Sequence, residues 1–74
     1  MPINEIFLRP VEKLSLSMWT FHGLQNADIK YEGELVQCTE QELLEINNFG
    51  RKSINEIKAT LADLGLSLGM RLNN

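Results

Sequence analysis

Residues 51–64 constrain this chain more than any other stretch. Ile54, Ile57, Leu61 and Leu64 recur at spacings of three, four and three, the apolar stripe of an amphipathic helix. Gly65 follows as a good C′ residue, able to take the left-handed turn that ends a helix. Upstream, Thr39-Glu40-Gln41-Glu42 reads as a capping box: the threonine oxygen accepts from a free amide and the Glu42 carboxylate reaches back. Leu43, Leu44 and Ile46 form the apolar side of the helix it opens, and Asn47-Asn48-Phe49-Gly50 breaks that helix with residues suited to tight turns. The chain must fold around two helices meeting at an abrupt corner, each with one face to bury.

The rest fits an all-α chain, and no segment argues well for a sheet. Seventy-four residues make one domain with a thin core. Cys38 is the only cysteine, so no intrachain disulfide is possible, and Cys38 with His22 cannot complete a four-ligand zinc site. The apolar 43% must therefore do the folding, and a reduced, cytosolic setting follows. No apolar run approaches a membrane span and the N-terminus lacks the marks of a signal peptide. Ser17 is expected to cap a helix over residues 18–26, with Phe21 and Leu24 on its core side and Met18 at the margin. Trp19, His22, Gly23 and Asn26 make a second stripe, facing outward. A short helix over 32–37 would bury Leu35 and Val36. Leu8, Val11, Leu14 and Leu16 form an apolar clasp around Pro10, and Leu66, Leu68, Met70 and Leu72 fold back as a cover. The expected architecture is a compact bundle of four to five short helices, with residues 1–9 a lead-in or linker end and 10–74 the domain.

Function classes narrow by elimination. No nucleophile–base–acid set has a recognised catalytic spacing, and nothing calls for a cofactor. The acidic run Glu32, Glu34, Glu40, Glu42 and Glu45 matches no calcium loop and reads as a solvated face. Seven basic against ten acidic residues give a net charge of −3, unlike a generic nucleic-acid binder. The positive charge is local: Arg51, Lys52 and Lys58 follow the corner, opposed only by Glu56.

The corner, Ile46-Asn47-Asn48-Phe49-Gly50-Arg51-Lys52-Ser53, has the pattern of a helix-hairpin-helix. A glycine there admits a phosphate close to the backbone, and the next helix offers unpaired amides and the positive end of its dipole. Lys52 adds a point charge and Ser53 a hydroxyl. Such contacts position a protein on a duplex without reading bases. An ordinary helix–turn–helix corner, with Gly50 present only for geometry, is the competing interpretation.

Four segments in order widen the comparison: Phe7-Leu8-Arg9-Pro10-Val11-Glu12-Lys13-Leu14, Gly33-Glu34-Leu35-Val36-Gln37, the stretch 48–58, and Gly65-Leu66-Ser67-Leu68-Gly69-Met70-Arg71-Leu72. Together they resemble the C-terminal domain of the bacterial RNA polymerase alpha subunit over nearly the whole chain. The resemblance implies a non-catalytic helical domain, tethered by a linker to the rest of the polymerase, that binds A/T-rich upstream promoter DNA across the minor groove and is touched by activators. It implies a monomeric domain in the cytoplasm, at the nucleoid. The chain begins where the family's linker usually ends, so an excised domain is expected.

Carried over by position, Asn48, Gly50, Lys52, Ser53 and Glu56 agree with the family's DNA-facing corner, Glu56 as a residue that orients neighbouring basic side chains. The other DNA-facing positions depart from it. Trp19 stands where the family usually has an arginine entering the minor groove, His22 where it has an asparagine, and Gly23 where a cysteine is common. Lys13 and Ser15 lie near positions often acidic and used toward sigma factor. Trp19 and His22 admit three interpretations: packing at the core edge, stacking or wedging on DNA, or contact with a protein regulator. The last would make the chain a diverged adaptor with little DNA affinity.

Overall fold

The computed structural model describes residues 5–47 and 49–71. Four α-helices follow in order: α1 Met18–Asn26, α2 Glu32–Gln37, α3 Glu40–Leu44 and α4 Arg51–Asp63, after two 3-10 turns at Glu5–Leu8 and Val11–Lys13. Among the described residues there is no strand, only one antiparallel bridge between Pro10 and Tyr31. The all-α bundle expected from the sequence is the one observed.

The α4 stripe builds the core. Ile54, Ile57 and Leu61 are fully buried against Leu24, Leu35, Val36 and Leu43. Leu64, expected to extend the stripe, is instead 37% exposed, because the helix ends at Asp63 and Leu64 is its C-cap. Gly65 then turns the chain at φ 75°, and the Leu66 amide donates back to the Leu61 carbonyl at 2.9 Å. Leu66, Leu68 and Met70 pack on the core as the expected cover. Gly69 and Met70 amides fix it to the Cys38 and Val36 carbonyls at 2.9 and 2.8 Å. Leu72 lies outside the described residues.

The N-terminal segment forms a strap over the opposite side. Val11 donates to the Lys30 carbonyl at 2.9 Å and Glu32 to the Arg9 carbonyl at 2.8 Å. Residues 5–8, read from the sequence as a linker end, pack against α2, and Phe7 joins the core. Of the expected clasp, Val11 and Leu14 are buried and Leu16 half-buried, but Leu8 is 59% exposed.

In α1, Ser17 caps as expected, its hydroxyl accepting from the Thr20 amide. The buried residues are Thr20 and Leu24, with Phe21 half-buried, while Met18 is 65% exposed and takes no part. A threonine replaces it inside because a carboxylate from α4 satisfies its hydroxyl. The acidic run is a solvated face only in part: Glu34, Glu42 and Glu45 are exposed, whereas Glu40 is half-buried and Glu32 buried. Glu34 accepts from the Lys30 and Tyr31 amides at the start of α2, and Glu42 from Thr39 at the start of α3. Glu32 is fully buried and accepts from Arg9 Nε at 3.2 Å. Glu34 and Glu42 thus serve helix starts from the surface, and Glu32 forms a buried ion pair.

Candidate nucleic-acid interface

Gly50 is the N-cap of α4, at φ −135° and ψ −169°, an extended conformation open to any residue. A Cβ built on it would meet nothing within 4 Å. Neither strain nor crowding asks for glycine here, so the geometric explanation of Gly50 fails. Gly50 has no side chain with which to cap the helix, and among the described residues none is bonded to its first turn in that way. Gly50, Arg51 and Lys52 are exposed. The mouth of a 13-residue helix, with its unpaired amides and partial positive charge, therefore opens to solvent.

The cluster of bases beside it is smaller than the sequence suggested. Glu40, reaching from α3, accepts from Arg51 Nη1 at 2.8 Å and from Lys58 Nζ at 2.7 Å. These two bonds hold its carboxyl below the ordinary value, Lys58 first and Arg51 second. Lys52 is the member of the cluster that no described carboxylate holds in an ion pair.

Glu56, whose family position implied a part in orienting neighbouring basic side chains, makes its described hydrogen bonds elsewhere. Its carboxylate crosses to α1, accepting from the Ser17 amide, from Ser17 Oγ at 3.0 Å and from Thr20 Oγ1 at 2.6 Å. Burial pushes the Glu56 carboxyl up, but the bonds from Thr20 and Ser17, with the charge of Lys52, outweigh it and leave it below its ordinary value. Ser53, expected to offer a hydroxyl to phosphate, is 5% exposed, and its Oγ lies 3.3 Å from Thr20 Oγ1. That hydroxyl is engaged with α1. Asn48, the remaining corner residue, lies outside the described residues.

The three α1 positions separate. Trp19 is 59% exposed. His22 is also exposed, its ring 5.8 Å from that of Phe21 and tilted by 42°. Gly23 is explained from inside: a Cβ there would fall 2.1 Å from Phe49 Cε1 and under 3 Å from two more ring atoms. The Phe49 ring occupies the space a side chain would need. Trp19, His22, Gly23, Asn26, Asn47 and Phe49 line one shallow hollow; Ser17, Trp19, Thr20, Lys52, Ser53 and Glu56 line a second. Trp19 is a wall of both.

Thr20, Glu40 and Phe49 were missed by sequence reasoning, since their partners lie 11 to 36 positions away or act only through shape. Among the described residues no three His, Cys, Asp or Glu side chains are grouped to hold a metal ion. Cys38 is a poor nucleophile: burial, then Glu42 and Glu34, raise its thiol above the ordinary value. No helix among the described residues is long and apolar enough to cross a membrane.

Comparison with known proteins converges on one family. Residues 2–63 match the family described as the C-terminal domain of the bacterial RNA polymerase alpha chain. That match stops short of the octapeptide at 65–72, so it does not depend on it. The DNA-directed RNA polymerase subunit alpha of Pelobacter propionicus is 54% identical over 72 residues, 97% of this chain and 21% of that protein. The chain thus spans about a fifth of that relative's length. The NMR structure of the C-terminal domain of the RNA polymerase alpha subunit from Helicobacter pylori superposes with a TM-score of 0.79 at 39% identity, covering 93% of this chain and 60% of the other.

Proposed function

The chain belongs to the family of C-terminal domains of the bacterial RNA polymerase alpha subunit, and on that premise we propose that it is a non-catalytic polymerase domain that lies on upstream promoter DNA through the mouth of α4. One observation carries this reading: Gly50 leaves open, for no reason internal to the fold, the space in front of that mouth. A phosphate oxygen placed there accepts from first-turn amides, favoured by the helix dipole, with Lys52 as a point charge beside it. Glu56 and Phe49 act indirectly, holding α1 against α4 so that both helices face the duplex together. Gly23 belongs with them as the notch that admits Phe49.

On this reading a linker joins the domain to the rest of the polymerase, which places it with chromosomal DNA in the cytoplasm. Transcription regulators would meet it while it sits on the promoter. A sigma-facing contact would lack acids at Lys13 and Ser15, both exposed. With Lys52 the one lysine of the α4 cluster outside an ion pair, and a net charge of −3, binding is weak and strongly salt-dependent.

Titration with an A/T-rich duplex at low salt, followed by amide shifts, tests the proposal. The largest shifts are expected at Gly50, Lys52 and Ser53. Lys52→Ala should weaken binding to all sequences alike and reduce the log–log salt slope by about one. Unmoved corner amides would remove DNA from the account.

A further inference from the structure

We propose that Trp19 is a stacking wedge, and that it turns the DNA preference of this domain from stiff A-tracts toward easily unstacked base steps. The inference rests on the reading of the α4 mouth as a phosphate site and adds how the neighbouring bases are met.

Met18 and Trp19 stand out from the first turn of α1 at 65% and 59% exposure, two adjacent large apolar side chains open to solvent. Trp19 lines one cleft with Lys52, so the indole and the unheld cation flank the same opening. A polyanion drawn to Lys52 and the α4 amides meets the indole next.

The backbone carrying Trp19 is held on both sides of it. Before and after it, Ser17 and Thr20 are bonded to Glu56 of α4. One turn further on, Gly23 lies against the Phe49 ring, leaving no room for a side chain. The root of the indole is therefore carried at a fixed place relative to the α4 mouth, so the wedge pivots from a firm base.

Its chemistry sets the preference. The narrow minor groove of an A-tract rewards an inserted positive charge, which an indole lacks. An indole offers a broad apolar plane, which gains by stacking on a base once a step has opened. Opening is easiest at TA and CA/TG steps and hard within an A-tract. A regulator protein could also use an exposed tryptophan, but the shared cleft with Lys52 and the adjoining amide mouth favour a polyanion.

Trp19 is the chain's only tryptophan, so its emission reports this position alone. The chain is titrated with two duplexes of equal length and charge, one centred on TA and CA steps, the other an unbroken A-tract. Quenching of Trp19 and several-fold tighter binding are expected with the flexible-step duplex. Trp19→Ala should lose roughly tenfold in affinity for that duplex, with the salt slope unchanged because no charge is removed. Trp19→Arg should shift the preference to the A-tract. Salt-dependent binding with unquenched emission and no step preference would overturn the wedge while leaving the phosphate site standing, the result expected if Trp19 serves a protein instead. Absence of binding to either duplex, with Lys52→Ala indistinguishable from the parent, would remove both.

Discussion

α1 and α4 begin alike and are treated in opposite ways. Each starts with unpaired amides that attract negative charge. At α1 the fold supplies the anion itself, since Glu56 of α4 bonds Ser17 and Thr20. At α4 it supplies Gly50, and among the described residues no side chain caps the mouth. The starts of α2 and α3 resemble α1 in this respect, with Glu34 and Glu42 serving them. A helix start that meets its own carboxylate is part of the scaffold; one without any is available to an anion from elsewhere. The glycines divide in the same way. Gly23 is required by Phe49 packed against it, whereas Gly50 has no neighbour that requires it.

Removing the internal anion should have the largest effect. Glu56→Ala strips a carboxylate from one buried hydroxyl, one serine side chain and one amide, and a cost of about 2 kcal/mol is expected from losing charged hydrogen bonds. In a domain of this size that lowers the melting temperature by roughly 10 °C. Thermal melting followed by circular dichroism measures it. A change under a degree or two would show that α1 does not depend on the carboxylate, and the contrast between the two mouths would lose its structural half.

Gly23→Ala comes next. The added methyl overlaps the Phe49 ring, and forcing the two apart costs about 2 kcal/mol, in the usual range for overpacking. Phe49→Leu in the same chain should recover part of that loss, although Phe49→Leu alone is destabilising. Denaturant melts of the three variants decide it. Simple additivity of the two changes would mean that the notch and the ring are not paired.

A smaller effect comes with acid. Glu40 and Glu56 both have carboxyls held below the ordinary value of 4.5 in the folded chain. The stability they contribute is fully present above that value and is lost as pH falls through their folded values. Melting temperature should be flat from neutrality to about pH 5 and decline by several degrees below 4.5, with a shallower decline in Glu56→Gln. An equal decline in that variant would show that Glu56 has no part in the acid sensitivity.

The sequence revealed what is local and concealed what is distant. Ser17, the Thr39–Glu42 box and the Gly65 stop were legible because a cap and its partner lie within three or four residues. The stripe Ile54, Ile57 and Leu61 was legible because helical periodicity is local too. Glu56 reaches 39 positions back to Ser17, and Glu40 holds bases 11 and 18 positions ahead, so no spacing rule connects them. Glu32 sat unnoticed in an acidic run although its carboxylate is buried on Arg9, 23 residues earlier. At the candidate site, the residue types at Gly50 and Lys52 suggested a phosphate contact, and both residues are exposed at the start of α4. Ser53 misled because a hydroxyl's direction is set by what packs against it, here Thr20.

The smallest expected change in stability is the most telling about α4. Serine is a better N-cap than glycine by a few tenths of a kcal/mol, the extended backbone at Gly50 suits it, and the space around is empty. Gly50→Ser should therefore leave the fold as stable as before or slightly more so. Its hydroxyl would accept from a first-turn amide and its side chain would stand where a phosphate oxygen is placed. Duplex affinity at low salt should consequently fall, by roughly fivefold for one lost hydrogen bond and more if the backbone can no longer approach. A variant that melts higher and binds less tightly would show why this helix begins with glycine where a serine cap has room. If it melts higher and binds equally well, the open mouth of α4 has no bearing on DNA, and the difference between the two helix starts becomes one of capping alone.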